Sequence, residues 1–318
     1  MCCVRACLPD NTQVKKHIYI YSPSGAVRDK AAFKRGVVRL RGLGHEVEID
    51  VNALSSHLRF AGDDETRLAA IDRACSSGAD VALISRGGYG LTRILDRIHF
   101  KKVADAIDKG TQFVGISDFT AFQLALLAKT GSVTWAGPAL CEGFGALPAS
   151  DDIMEDCFND FLVGRGEGTG WRQPVDTSAD INVQNAILWG GNLSLVSALV
   201  GTPFFPNIEG GVLFLEDVAE HPYRVERLLT HLLQAGVLAK QKAIVLGQFT
   251  EFKLTPHDRG YKLTTVIQWL RSQLTVPVLT NLPYGHVQTK VMLPVGAKVD
   301  LVTEGRDALC LWGHHHHD

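Results

Sequence analysis

A serine at the junction of an apolar run and a helical pattern is the first residue here that could do chemistry. In FVGISDFTAFQLALLAKTG, residues 113–131, Ser117 follows Phe113-Val114-Gly115-Ile116 and leads into a helix-forming stretch. A side chain at the carboxyl end of a strand projects into the crevice where open parallel sheets bind ligands. The amino end of the next helix offers unpaired N–H groups to an oxyanion. On this reading Ser117 is a nucleophile and the backbone N–H of Asp118 is an oxyanion donor. The competing reading is a helix cap, which Ser and Asp both favour, and the segment alone leans that way. It nevertheless lacks a capping-box partner, because Thr120 stands three residues after Ser117. It also lacks the last glycine of a G-x-S-x-G elbow, because Phe119 stands there.

A serine nucleophile needs a second oxyanion donor, a base and an acid that orients the base. SRGGYGLTRI, residues 85–94, follows the apolar stretch ADVALI, and its glycines at 87, 88 and 90 let backbone approach a ligand closely. No Gly-Lys-Ser/Thr follows, which excludes a phosphate P-loop, and Arg93 breaks the dinucleotide fingerprint. A backbone oxyanion donor or a plain tight turn remains. Of the eight histidines outside the terminal run, His286 stands apart in NLPYGHVQTK, a Pro/Gly-bracketed loop before a strand pattern. Among the acids, Glu216 ends the apolar stretch VLFL, where a lone buried carboxylate would be costly. Asp217 and Glu220 compete with it, and the segment does not choose between them.

The elements that must position these residues follow from periodicity. HIYIY, HEVEIDV, ADVALIS and QFVGIS read as strands separated by helical patterns at 30–43 and 64–77. Apolar strands alternating with helices predict an α/β fold, with a parallel-sheet amino-terminal domain over residues 1–165. The Gly- and Pro-containing stretch 166–180 reads as a linker. A second, smaller mixed α/β domain is expected over 181–318, with helices at YRVERLLTHLLQ and YKLTTVIQWLRSQL. The closing HHHHD is set aside as a purification tag.

With 32 basic and 34 acidic residues and no Lys/Arg block, nothing favours nucleic acid or an anionic membrane as partner. No apolar run reaches the roughly 18 residues of a membrane span. The seven cysteines form no metal spacing, so free thiols, no metal and a reducing compartment are expected.

Taken together, SRGGYG, FVGISDFTA, WAGP, WGGNLSLVSALVGTP, VLFLEDVAEHPYRVERLL and LPYGH resemble the LD-carboxypeptidases, cytoplasmic serine peptidases that trim murein tetrapeptides. The resemblance runs from IYSPSG to LPVGAKV. It implies an amino-terminal domain similar to class I glutamine amidotransferases. It implies a catalytic triad of Ser117, Glu216 and His286, with the backbone N–H groups of Gly88 and Asp118 as the oxyanion hole. It further implies no cofactor, a homodimer and release of terminal D-Ala in cell-wall recycling. The related microcin C immunity peptidases, which cleave a peptidyl-nucleotide, are the alternative. The chain lacks the extra loop length those relatives use to grip a nucleotide base, which favours the murein substrate. A non-enzymatic muropeptide sensor is disfavoured by the intact Ser/Glu/His set. Ile116 departs from the aromatic or small residue that many members carry before the serine.

Overall fold

Val81-Ala82-Leu83-Ile84 is buried at every position, as a central strand covered by helices on both faces must be. Around it the computed structural model describes residues 2–5, 14–174 and 180–313, with backbone alone for 2–5. The strands are β1 (Cys2–Arg5), β2 (His17–Tyr21), β3 (Glu46–Ile49), β4 (Val81–Ile84), β5 (Gln112–Gly115), β6 (Thr134–Ala136) and β7 (Gly166–Arg172). They continue with β8 (Asn182–Asn192), β9 (Val212–Val218), β10 (Ala243–Thr250), β11 (Val278–Leu279), β12 (Leu293–Val295), β13 (Lys298–Glu304) and β14 (Asp307–Leu311). The helices are α1 (Lys30–Gly42), α2 (Asp64–Ser76), α3 (Phe100–Asp108), α4 (Phe119–Thr130), α5 (Asp152–Leu162), α6 (Leu193–Leu199), α7 (Pro222–Gln234) and α8 (Leu263–Gln273).

Two sheets organise this mixed α/β fold. The first has the order β12-β6-β5-β4-β2-β3, and all its pairs are parallel except β12 against β6. The second has the order β1-β7-β14-β13-β8-β9-β10-β11, parallel from β8 through β11 and antiparallel elsewhere. The sheets do not divide the chain into two blocks. Strand β12, late in sequence, closes the edge of the first sheet, and β1 joins the second. Residues 166–172, expected as linker, form β7, because Gly168 lets β7 pack tightly on β14: a Cβ there would lie 2.6 Å from Cys310 O. The rest of the expected linker includes 175–179, and these, like the His-rich tail at 314–318, lie outside the described residues.

Helix α4 holds the sheets together. Phe119 through Leu126 are all buried, the signature of a helix covered on every side. Across the seam Thr120 Oγ1 accepts a hydrogen bond from Asn192 N at 3.0 Å, where β8 ends. Helices α1 and α2 start at Asp29 and Asp63, whose carboxylates accept from Ala32 N and Thr66 N at 2.8 Å each. Cys75, Cys141 and Cys310 are free thiols, but Cys157 is disulfide-bonded, contrary to the expectation of thiols throughout. No helix among the described residues is long and apolar enough to cross a membrane.

Candidate active site

Ser117 sits between β5 and α4 with φ +67°, a left-handed conformation that costs a non-glycine residue about 1–3 kcal/mol. Its neighbours enforce that turn. A Cβ on Gly115 would lie 2.5 Å from Phe119 Cδ1, so only glycine fits two residues before the serine. The sharp strand-to-helix turn therefore forms without the second glycine of the hydrolase elbow, because Phe119 turns inward into the core. Neither Ser117 nor Asp118 caps α4 through its side chain. The cap reading fails because Asp118 has other work. Its Oδ2 accepts from Ser24 Oγ and from Leu91 N at 2.9 Å, tying the turn to the loops that follow β2 and β4. Burial raises the pKa of Asp118 against those hydrogen bonds.

The loop after β4 lies directly against the serine. A Cβ on Gly87 would sit 2.6 Å from Ser117 Cβ and 2.8 Å from its Oγ. Gly88 has φ +114° and Gly90 φ +149°, which only glycine adopts freely. Fully buried Arg67 pins this loop from α2: Nη1 donates to Gly90 O at 2.7 Å and Nη2 to Asp64 Oδ1 at 2.5 Å. The backbone N–H groups of Gly88 and Asp118 form no hydrogen bonds within the described protein. Two unsatisfied donors beside a strained serine are what an oxyanion site requires.

Glu216 and Asp217 end β9 side by side and do different jobs. Glu216 is fully buried, and its Oε2 accepts from His286 Nδ1 at 2.7 Å. Its Oε1 accepts from Asn192 Nδ2 at 3.2 Å. Asp217 accepts from Asn192 Nδ2 at 2.8 Å, Ser194 N at 2.9 Å, Ser194 Oγ at 2.7 Å and Val218 N at 2.8 Å, so it fastens the start of α6. Glu220 lies outside this cluster and pairs with Arg224 at 3.7 Å. With Nδ1 donating to the carboxylate, Nε2 of His286 is left as the basic nitrogen. Burial works against the imidazolium, but the hydrogen bond and charge of Glu216 outweigh it and raise the His286 pKa. The structure thus brings Glu216 and His286 together and seats Ser117 against Gly87. No hydrogen bond joins Ser117 to His286 among the described residues.

Several contributors were not singled out from sequence. Asn192 ends WGGN and joins both acids, and Arg67 gave no signal at all in its helix. Arg86 donates toward Glu142 at 3.4 Å, and Lys290 lies buried four residues after His286. Other histidines have structural partners: His17 with Glu48 at 2.9 Å and His231 with Ser197 at 2.8 Å.

Two family models match the chain in turn. The LD-carboxypeptidase N-terminal domain matches residues 18–137, and the LD-carboxypeptidase C-terminal domain matches 185–301. The crystal structure of muramoyltetrapeptide carboxypeptidase from Oxalobacter formigenes superposes with a TM-score of 0.85 at 39% identity, covering 93% of this chain and 98% of that one. A Bacillus subtilis protein named as a probable murein peptide carboxypeptidase is 27% identical over 85% of this chain and 84% of its own. The microcin C7 self-immunity protein of Escherichia coli is 28% identical over 58% of this chain and 62% of its own. A structure of the microcin C7 self-immunity protein with aspartyl sulfamoyl adenosine shares the fold, with a TM-score of 0.82 at 23% identity over 94% of this chain and 96% of that one.

Proposed function

The chain belongs to the LD-carboxypeptidase family, and we propose that it is a serine carboxypeptidase releasing the terminal D-residue of a murein tetrapeptide. The observation that carries this reading is the 2.7 Å bond from His286 to buried Glu216, in the same fold as a strained serine with two free backbone donors.

In this mechanism Ser117 Oγ attacks the carbonyl carbon of the bond between an L-centre and the terminal D-residue. His286 Nε2 takes the hydroxyl proton as the C–O bond forms. Gly88 N–H and Asp118 N–H donate to the oxyanion, an interaction worth about 10²–10³ in rate per donor. The tetrahedral intermediate collapses as the C–N bond breaks, and His286 returns the proton to the departing amine. Water, deprotonated by the same imidazole, then releases the acyl group and regenerates the serine. Glu216 holds the imidazole tautomer throughout and stabilises its cation. Hydrogen bonds of this kind often tighten only once substrate is bound, so the proposal includes closing of the Ser117–His286 distance in the Michaelis complex. A cytoplasmic setting and a homodimer come with the reading through the family resemblance. The disulfide at Cys157 is the observation that pulls against the first.

Incubation with a disaccharide tetrapeptide should release free D-Ala, detected by mass spectrometry, and Ser117→Ala should reduce this to background without loss of the folded state. Absence of D-Ala with the intact chain, or full activity in the variant, overturns the proposal.

A further inference from the structure

Lys290 is 2% exposed, yet its ammonium group makes no hydrogen bond or ion pair among the described residues. Its Nζ is not among the fully enclosed unpaired polar atoms, so the charge keeps a narrow contact with solvent at the end of a buried stem. An uncharged side chain of similar length would still cost the fold less. Burial lowers its pKa, and the carboxylates of Glu142, Glu216 and Asp151 counter that from beyond ion-pair distance. Such a group is better suited to an incoming anion than to holding the structure together.

Its position says which anion. Lys290 lies on the loop of His286, four residues further on, and its charge acts on that imidazole. The next stretch of chain packs on the first sheet near the serine: a Cβ on Gly137, just past β6, would lie 2.4 Å from Met292 Sδ. Neighbouring Thr289 is anchored by donating to Asp151 Oδ2 at 2.6 Å. His286 must hand its proton to the leaving amine. In an α-amino acid the carboxylate carbon is two bonds from that nitrogen. A cation serving the leaving residue must therefore sit beside the histidine, not beside the oxyanion donors. Half-buried Arg86 is the other cation near the glycine loop, but it lies against Gly25 and Gly88. Its Nη1 lies within 2.6 Å of where a Cβ on Gly25 would be and 2.8 Å of one on Gly88, and its charge is already met by Glu142 at 3.4 Å.

We infer that Lys290 is the counter-charge for the free carboxylate of the leaving residue, and so the residue that restricts hydrolysis to the chain terminus. This rests on the carboxypeptidase reading and names the substrate feature that reading leaves open: a free terminal carboxylate next to the scissile amide.

The test compares a disaccharide tetrapeptide with its C-terminal carboxamide, using the intact chain, Lys290→Met and Lys290→Arg. The intact chain should prefer the free acid by on the order of 100-fold in kcat/KM, the scale of a buried charge pair lost. Lys290→Met should bring the acid-to-amide ratio toward one, with the loss carried by KM, and Lys290→Arg should restore part of the preference. The melting temperature of Lys290→Met should hold or rise, whereas removing a structural lysine would lower it. An unchanged ratio in Lys290→Met, or a ratio near one in the intact chain, overturns the assignment while leaving the peptidase intact. Cleavage of neither substrate by the intact chain overturns the peptidase reading, and this inference with it.

Discussion

The Ser117 turn and the His286 loop, the two parts of the proposed catalytic site, are held in different ways. Ser117 is positioned by backbone: a left-handed φ, a glycine at 115 that the inward Phe119 requires, and a glycine loop pressed against its side chain. The His286 backbone is held by Thr250 Oγ1 at 3.2 Å, but its imidazole is oriented by charge, through one short hydrogen bond to a fully buried carboxylate from a strand 70 residues earlier. A nucleophile must not move when its proton leaves, and steric confinement is indifferent to protonation. A base must change charge during the reaction, and a carboxylate partner favours the cation that forms. The two anchoring styles suit the two tasks proposed for these residues.

The strongest way to break this comparison is to remove charge from the His286 side without removing shape. Glu216→Gln should lower kcat by roughly 10³–10⁴, the scale known for loss of the orienting carboxylate in a triad. Its pH profile should move as well. His286 acts as a base only when neutral, and its pKa is raised, so the acid limb of kcat/KM should lie above the usual imidazole value of about 6.5. Glu216 and Asp217 push the titration up, while burial and Lys290 push it down. Without the Glu216 charge the limb should therefore shift to lower pH even as the rate falls. A limb that stays in place would mean Glu216 is not what holds the imidazole.

The same difference in anchoring explains what could be read from the chain. Backbone devices leave local traces, so the strand, the serine and the glycine-rich loop were visible as FVGISD and SRGGYG, and the parallel pairing of β2 through β5 agrees with the alternation, which gave neither their order nor β6. Long-range side-chain pairs leave none. Nothing within VLFLED separates Glu216 from Asp217, and only the fold shows one facing a histidine and the other fastening α6. Likewise β12 could not be assigned to the first sheet, because five strands of the second, β7 through β11, stand between it and β6 in the chain. The cap reading of Ser117 went wrong because Asp118 is claimed by Ser24 and Leu91, contacts with no local signature.

On the Ser117 side the corresponding intervention is steric. Gly87→Ala adds a methyl group 2.6 Å from Ser117 Cβ, closer than real contacts allow, at a residue whose own φ is not left-handed. Activity should fall roughly 10- to 100-fold from displacement of the nucleophile, since misplacement by about 1 Å can cost 100-fold. The pH limb should not move, because His286 is untouched. The stability loss of Gly87→Ala should shrink in a Ser117→Gly background, where the clashing side chain is gone. A thermodynamic cycle that gives purely additive losses would mean the crowding is not between these two residues.

The smallest effect on chemistry belongs to Asp217→Asn, and it is the sharpest control because the residue adjoins Glu216. Asp217 is buried and accepts four hydrogen bonds, three of them from Ser194 and Val218 at the start of α6 and the end of β9. An amide offers one accepting oxygen where the carboxylate offers two, and its NH₂ would face donors. The expected loss is about 1–3 kcal/mol of stability, the cost of leaving buried partners unsatisfied. A calorimetric or denaturant midpoint reads it. Asn192 Nδ2 touches both acids, so some disturbance reaches Glu216, but the bond from His286 remains available and kcat should stay within a few-fold. Were Asp217→Asn to cost more activity than Glu216→Gln, the division of labour between the two acids would be reversed. The histidine would then have to swing to the second carboxylate when substrate binds.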